Sequence, residues 1–341
     1  MVTVSTESSQ AEWDAYVGQH PDGTVDHLWG WQAVFQRAFG HDSRYLVARR
    51  AGAVVGVLPL VLFRSRLFGR SVVSVPFLNY GGVLADDGDV SAQLVARARE
   101  IAADFRASHV ELRHQARQCP DLPSRQHKLG LSRSLPATAD ALWTTIDRKV
   151  RNQVRKAQKE DLTIAVGGPE LIDGFYQVFS RNMRDLGTPV YSKALFVETF
   201  RAFPERVRFY VVKRGAQVIA GAVTIRLGGT VLVPWASALR EFRHLSPNML
   251  LYWTMLESAI AAGATRFDFG RSSPDAGTHH FKLQWGAEEI PLHWEYVLLT
   301  REAAPDHGPS NPKFERAIAL WQRCPLWLAN AIGPHIVRGI P

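Results

Sequence analysis

Apolar and polar positions along the chain follow one order of elements, and that order occurs twice. Arg44-Tyr-Leu-Val-Ala-Arg-Arg-Ala-Gly-Ala-Val-Val-Gly56 sets two apolar runs around a basic-glycine turn, the pattern of a β-hairpin. Arg208-Phe-Tyr-Val-Val-Lys-Arg-Gly-Ala-Gln-Val-Ile-Ala-Gly221 repeats it roughly 160 positions later, far too long a period for a solenoid. A strand with an internal Val-Pro is predicted next in each half, at Val75-Pro76 and at Val233-Pro234. Apolar spacings of three and four then predict amphipathic helices over Val90 to Ala107 and Pro247 to Ala262. Each helix is followed by a short alternating strand, His109-Val-Glu-Leu-Arg113 and Arg266-Phe-Asp-Phe-Gly270. Elements matching in the same order point to a tandem duplication. Hairpins combined with a helical crossover imply a mixed sheet with helices packed on it.

At 341 residues the chain is long for one core, so two domains are expected. Pro136 and small polar residues interrupt the pattern between Leu135 and Ala141 and mark the boundary. From about Arg301 a tail opens with Pro, Gly and Asp, offers a helix around Pro312 to Arg323, and ends in an apolar tip, Trp327 to Ile340. That tip is expected either to cap the fold or to dock at a membrane surface.

The two cysteines, Cys119 and Cys324, offer no disulfide framework and fit a reducing compartment. The opening MVTVSTESSQ has neither the basic nor the apolar region of a signal peptide. The longest apolar run, Val54 to Phe63, is broken by Gly56 and Pro59 and is too short to span a bilayer. A soluble, cytoplasmic protein without a transmembrane segment is expected. The formal net charge of +8 favours anionic partners.

Two segments carry candidate chemistry. In Arg148-Lys-Val-Arg-Asn-Gln-Val-Arg-Lys-Ala-Gln-Lys159, Arg148, Arg151, Arg155 and Lys159 fall on one helical face, while Val150, Val154 and Ala157 form a separate face. Like charges so spaced repel, and a phosphate would offset that cost; plain solvation of a charged face is the alternative. In Phe267 to Ala287, an apolar strand reaches Gly270 and opens into a polar loop with Arg271, Ser272, Ser273, Asp275, Thr278, His279 and His280. Phe281-Lys-Leu-Gln-Trp-Gly286 then sets one Lys among apolar residues. Partly desolvated, Lys282 suits a developing oxyanion; the alternative is a Lys that snorkels to solvent.

Rival chemistries fit poorly. Ser272, Asp275 and His279 are crowded together and no GxSxG elbow precedes them. His279-His280 is not a spaced ligand pair and no HExxH or Cys/His cluster occurs, so no metal is expected. No GxxxxGK[ST] and no strand-linked GxGxxG is present. Asn79-Tyr-Gly-Gly82 reads as a tight turn from which Tyr80 could line a cleft.

The element order, together with Lys149-Val-Arg-Asn-Gln-Val-Arg-Lys156, Ser246-Pro-Asn-Met-Leu-Leu-Tyr-Trp253 and Phe267 to Ala287, resembles the FemAB-like branch of the GNAT superfamily. Asn182-Met-Arg-Asp-Leu-Gly-Thr-Pro189 and Gly333-Pro-His-Ile-Val-Arg338 are similar to the FemAB-type proteins found beside PEP-CTERM/exosortase and exopolysaccharide systems. The resemblance implies an α/β (mixed) fold of two tandem GNAT-like domains, each a mixed β-sheet flanked by helices, with a substrate cleft between or across them. Residues 1–138 would form the first domain, 139–300 the second with the active centre, and 301–341 a helical tail.

The implied activity is aminoacyl or acyl transfer onto an amine of a cell-envelope or exopolysaccharide precursor. The family's Phe-Lys pair falls on Phe281-Lys282, with the Lys beside the reacting carbonyl. Asp268 is the candidate proton acceptor, with a structural role as the alternative. Arg151, Arg155 and Arg271 would neutralise phosphates, and Trp285, Trp235 and Tyr191 would shape the pocket. Ser273, Phe281, Asn248 and Tyr80 complete the expected substrate-binding set.

Acyl-CoA-dependent GNAT enzymes hold pyrophosphate on a glycine-rich loop opening a helix. Arg240-Glu-Phe-Arg-His-Leu-Ser-Pro-Asn248 contains no glycine there; Ser246 is expected as N-cap with Pro247 as first helical residue. The first half has the acidic Ala85-Asp-Asp-Gly-Asp89 instead. No cofactor is therefore expected, and aminoacyl-tRNA is preferred to acyl-CoA as donor. The expected partners are an anionic small-molecule or carrier-linked envelope precursor and aminoacyl-tRNA, with peripheral association at the inner face of the membrane through the tail. Two other readings stand: an acyl-CoA-dependent N-acyltransferase acting on an amino sugar, and a non-catalytic anion- or RNA-binding adaptor. Against the adaptor, the basic helix lacks interleaved aromatic stacking platforms.

Overall fold

A computed structural model describes residues 1–65, 68–300, 303–304 and 315–340. The chain divides into two compact units. The first holds the described residues of Met1–Leu129, Ile290–Asp306 and Arg338–Pro341; the second those of Gly130–Glu289 and His307–Val337. This division departs from the contiguous boundaries expected at 138/139 and 300/301. The reason lies in two strands, each of which completes the sheet of the other unit's sequence neighbourhood.

The first unit is built on β1 (Val2–Ser5), β2 (Asp42–Arg50), β3 (Ala53–Ser65), β4 (Gly69–Val73), β5 (Leu84–Ala85), β6 (His109–His114) and β7 (Ser124–Arg125). The second uses β8 (Leu129–Ser134), β9 (Thr163–Gly167), β10 (Val207–Arg214), β11 (Gln217–Leu227), β12 (Thr230–Ala238), β13 (Arg266–Ser272) and β14 (Glu288–Pro291). The late strand β15 (His293–Leu298) returns to the first sheet, whose order is β1-β2-β3-β4-β6-β15-β7, with β5 beside β3. The second sheet runs β14-β8-β13-β12-β11-β10-β9.

The repeat read from the sequence is present as structure. β2–β3 and β10–β11 are the two antiparallel hairpins. In the first unit α1 (Gln10–Gln19) and α2 (Trp31–Phe39) precede the hairpin, and α3 (Gly88–Asp104) connects the parallel pair β4 and β6. The second unit has α4 (Ala139–Thr145), α5 (Arg148–Lys159), α6 (Ile172–Asp185) and α7 (Lys193–Ala202), and α8 (Pro247–Ala261) connects the parallel pair β12 and β13. Both are mixed sheets flanked by helices.

Local chemistry explains where helices begin. Asp87, Thr138, Asp147 and Ser192 each cap one by accepting a backbone N–H at its first turn. Gly56 lets α3 press onto β3, since a Cβ there would come within 2.6 Å of Val90 Cγ1. Leu46, Leu58, Leu60, Leu94, Val110 and Leu112 fill the core beneath.

Two local expectations are corrected. Val233-Pro234 lies inside β12, but β4 ends at Val73, and Val75 takes a left-handed φ of 50° in the turn that follows. Ser246 is not a side-chain cap: it is left-handed itself (φ 55°) and its hydroxyl makes no cap bond, although Pro247 does open the helix. In the tail, α10 (Glu315–Gln322) and α11 (Leu326–Val337) are helical, whereas 301–302 and 305–314 lie outside the described residues. Among the described residues no helix is long and apolar enough to cross a membrane.

Candidate active site

The parallel strands β12 and β13 pair only at Thr230↔Arg266, Val231↔Phe267 and Leu232↔Asp268. Beyond that point β12 continues along β11 as far as Ala238, while β13 runs to Ser272 on its own course. A parallel pair that parts midway leaves backbone groups and the space between them open to a ligand. Asp268 stands at the last paired position.

The polar loop after β13 leads into a helix, α9 (Gly277–Leu283), which carries Phe281 and Lys282. Lys282 does not snorkel outward. It is 7% exposed, and its Nζ donates to the carbonyl oxygens of Gly270 (3.1 Å) and Arg271 (2.8 Å) at the end of β13. Gly270 reaches this conformation with φ 71°. Burial lowers the Lys282 pKa to about 8; nearby Asp268 opposes the shift and the Arg271 guanidinium adds to it. Two of three ammonium donors thus serve backbone carbonyls, which leaves one for an incoming oxygen.

Asp268 is 6% exposed, and its Oδ1 accepts the Gly270 N–H at 2.7 Å. Its carboxylate is therefore committed to shaping the strand end and sustaining the charge on Lys282, which favours the structural role over proton acceptance. Arg271 is half-buried beside it, and Ser273 is half-buried in the loop.

Aromatic packing holds α9 in place. Phe281 meets Tyr252 of α8 edge-on at 4.9 Å, Tyr252 stacks on Phe269 at 6.0 Å, and Trp285 is fully buried beside both Tyr252 and Phe281. Arg133 of β8 donates to the Trp285 carbonyl. One residue further along α8, Trp253 contacts Trp143 edge-on at 4.6 Å, and the Arg155 guanidinium lies 5.4 Å over the Trp143 ring. Consecutive residues of α8 therefore tie the Lys282 helix and the basic helix to one support.

The basic helix spans the predicted residues. It buries Val150, Val154 and Ala157 and exposes Arg148, Lys149, Arg155, Lys156 and Lys159. Arg151 is half-buried, and its Nε is shielded from solvent without a hydrogen-bond partner. Asn248 is half-buried at the N-terminus of α8. The segment Arg240–Leu245 before it is wound into a 3-10 helix rather than an open loop.

The remaining expected aromatics make ring contacts of their own, Trp235 from a position on β12 beyond its last pairing with β13. Trp235 packs edge-on against Phe196 at 5.2 Å, and Tyr191 stacks on Phe179 at 6.1 Å, with Phe179 and Phe196 also in contact. They form a second aromatic group under α6 and α7. Tyr80 belongs to the first unit, where it packs with Leu292, Trp294 and Tyr296 and its N–H donates to Asp26.

Asp275, His279 and His280 place ligand atoms within 4.8 Å of one another. Both His279 nitrogens are already engaged, Nδ1 accepting from the Asp275 N–H (3.0 Å) and Nε2 donating to Glu289 (2.6 Å). A metal would have to displace one of these bonds, so the set fits a structural clasp better than an ion site. Tyr252, Arg133 and Glu289 were not singled out from the sequence. Tyr252 lay within a noted motif, whereas Arg133 and Glu289 act through strand pairings that no local pattern encodes.

Two mixed sheets, each with a helix-linked parallel pair, make this a tandem GNAT-like fold. Residues 146–283, from just before α5 to the end of α9, match the acetyltransferase (GNAT) domain family, which supports an acyltransferase. Among solved structures the chain is similar to FemX, with a TM-score of 0.65 and 17% identity over 87% of this chain and 98% of that one. It is similar also to the C-terminal domain (DUF2156) of a putative lysylphosphatidylglycerol synthetase from Agrobacterium fabrum, with a TM-score of 0.58, 14% identity and coverage of 84% and 92%. A tandem GNAT protein from the clavulanic acid biosynthesis pathway, solved without AcCoA, gives a TM-score of 0.56, 14% identity and coverage of 90% and 100%. At such identities the likeness is one of fold. No curated protein sequence matches the chain.

Proposed function

We propose that this chain is a FemAB-like aminoacyl or acyl transferase that forms an amide on an amine of a cell-envelope or exopolysaccharide precursor. The observation that carries this reading is Lys282: a buried ammonium, held by two carbonyls at the end of β13, with a donor to spare. In the reaction the acceptor nitrogen attacks the ester carbonyl carbon of the donor, and the carbonyl oxygen becomes an oxyanion that takes a hydrogen bond from Lys282. The carbon–oxygen ester bond then breaks, the amine loses its proton, and the leaving hydroxyl gains one. Burial of Lys282, 7% exposed, would keep the ammonium in a setting where that bond is strong. Arg151 and Arg155 would hold phosphates of a nucleotide- or carrier-linked acceptor, or those of aminoacyl-tRNA, the donor we favour; Asn248 would add a polar contact at the start of α8. We further propose the PEP-CTERM/exosortase setting as its pathway.

A second reading, an acyl-CoA-dependent N-acyltransferase acting on an amino sugar, is favoured by the GNAT domain match. It is disfavoured by the glycine-free, helical Arg240–Leu245 in the place of a pyrophosphate loop. Thermal shift separates the two. A ligand binding only the folded state at a hundred times its Kd adds about 2.7 kcal/mol of stability. Stabilisation by aminoacyl-tRNA or UDP-linked precursors, with formation of a new amide detected by mass spectrometry, supports the first reading. A response confined to CoA thioesters replaces it with the second. Salt-sensitive RNA binding with no product from any donor would leave only an adaptor.

A further inference from the structure

Helix α11 is built inside out. Its buried positions are Ala329, Gly333 and Val337, spaced four apart on one side. A Cβ on Gly333 would come within 3.0 Å of Val190, so this small face lies tight against the body of the second unit beside α6. Several large apolar residues are exposed instead: Trp327 is 72% exposed, Ile332 39% and Ile336 36%, and Leu320 on α10 is 74% exposed, while Leu326 and Leu328 are half-buried. Four of the seven large apolar side chains exposed among the described residues sit on these two short helices. An ordinary surface helix buries its large residues; this one buries its small ones.

The charge pattern names the occupant. α10 opens on Glu315, and from there to Pro341 the sequence has Arg316, Arg323 and Arg338 and no further Asp or Glu. Arg323 is exposed just before α11, Trp327 follows at its first turn, and His335 is exposed on the same side. Apolar residues with Trp at one end, cations at the margins and no acid are the composition of a helix lying in an anionic lipid interface. At 12 residues α11 is about 18 Å long, too short to span a bilayer. We infer that α11, with Leu320 of α10, docks the chain peripherally on an anionic phospholipid surface, with Trp327 and Ile332, on either flank of the exposed side of α11, at the acyl-chain boundary and Arg323 at the headgroups.

The test uses the full chain and reads binding alone, so its outcome is independent of which group the enzyme transfers. Co-sedimentation is measured with vesicles of phosphatidylcholine and with vesicles of equal parts phosphatidylglycerol and phosphatidylcholine. The wild type partitions onto the anionic vesicles and scarcely onto the neutral ones. The double variant Trp327→Ser, Ile332→Ser lowers that partitioning by at least about tenfold, and Arg323→Ala by about fivefold. Because these side chains are exposed, circular dichroism and the thermal midpoint stay at wild-type values. Equal recovery in the pellet with and without vesicles, or variants that bind as the wild type does, overturns the proposal. So does a concentration-dependent dimer by light scattering that the double variant abolishes, which would make a second copy the occupant.

Discussion

The two units place an acid at the same point of the same motif and then neutralise it differently. In the first, β4 and β6 pair at Val72↔Val110 and Val73↔Glu111; in the second, β12 and β13 pair last at Leu232↔Asp268. Glu111 is answered two residues on by Arg113 in a fully buried pair at 2.8 Å, whose guanidinium also donates to the Leu78 carbonyl and lies 4.2 Å over the Trp294 ring. Behind it His114 sits 2.6 Å from Glu295 and accepts the Val83 N–H, so close to Gly82 that any Cβ there would overlap its ring. The space left, lined by Thr24, His27, Tyr80 and Arg113, is about 40 Å³, enough for a water but not for a substrate. Asp268 has glycine at the i+2 position, and its cation arrives from a separate helix, Lys282 on α9. A duplicated framework thus yields a half closed around a buried Glu–Arg pair and a half whose cation comes from a separate helix and keeps a donor available.

Breaking the closed half has the largest expected effect. Arg113→Leu leaves Glu111 charged and buried and should cost about 3–5 kcal/mol of stability, read by urea unfolding. The double change Glu111→Leu, Arg113→Leu should recover most of that loss. In the second unit, Lys282→Ala should lower turnover of the folded protein about a hundredfold, and, because it leaves Asp268 and two carbonyls without their cation, also lower the urea midpoint. Loss of stability with retained turnover would reverse the assignment of the two halves. Arg151→Ala should raise the acceptor or tRNA KM about tenfold and leave kcat near wild type, as loss of one charged phosphate contact would.

Much of the framework was legible because apolar spacing reports helices and hairpins directly. The basic helix appeared at the predicted residues, with Asp147 as its cap. Two things were not legible. Val75-Pro76 looked like Val233-Pro234, yet a positive φ at Val75 turned the chain out of β4; tertiary packing decided this, not composition. The exchange of β8 and β15 between the sheets depends on long-range pairing, as in Glu295↔Leu112, that no local pattern contains. At the candidate site, the sequence pointed to Lys282 but not to its carbonyl partners, since backbone acceptors leave no mark on side-chain types. The ring contacts of Tyr191 and Trp235 with Phe179 and Phe196, and of Tyr80 with Leu292, Trp294 and Tyr296, join residues far apart in the chain and were not legible either.

The smallest effect gives the finest test of how Asp268 and Lys282 share a charge. If Lys282 acts as a protonated donor, activity is retained below its pKa and falls as pH rises through about 8. Asp268 raises that pKa, because a carboxylate nearby favours the charged amine; desolvation and Arg271 pull it down. In Asp268→Asn the amide oxygen can still accept the Gly270 N–H, so the strand end keeps its shape, but the negative charge is gone. The Lys282 pKa must then fall, and the basic limb of the kcat/KM profile should move to lower pH, with activity at the acidic plateau largely kept. Were Asp268 the proton acceptor instead, the same variant would lose activity across the whole profile, with the position of the limb unchanged. Glu111→Gln in the first unit should leave the limb where it is, since no step of the reaction is assigned to that half.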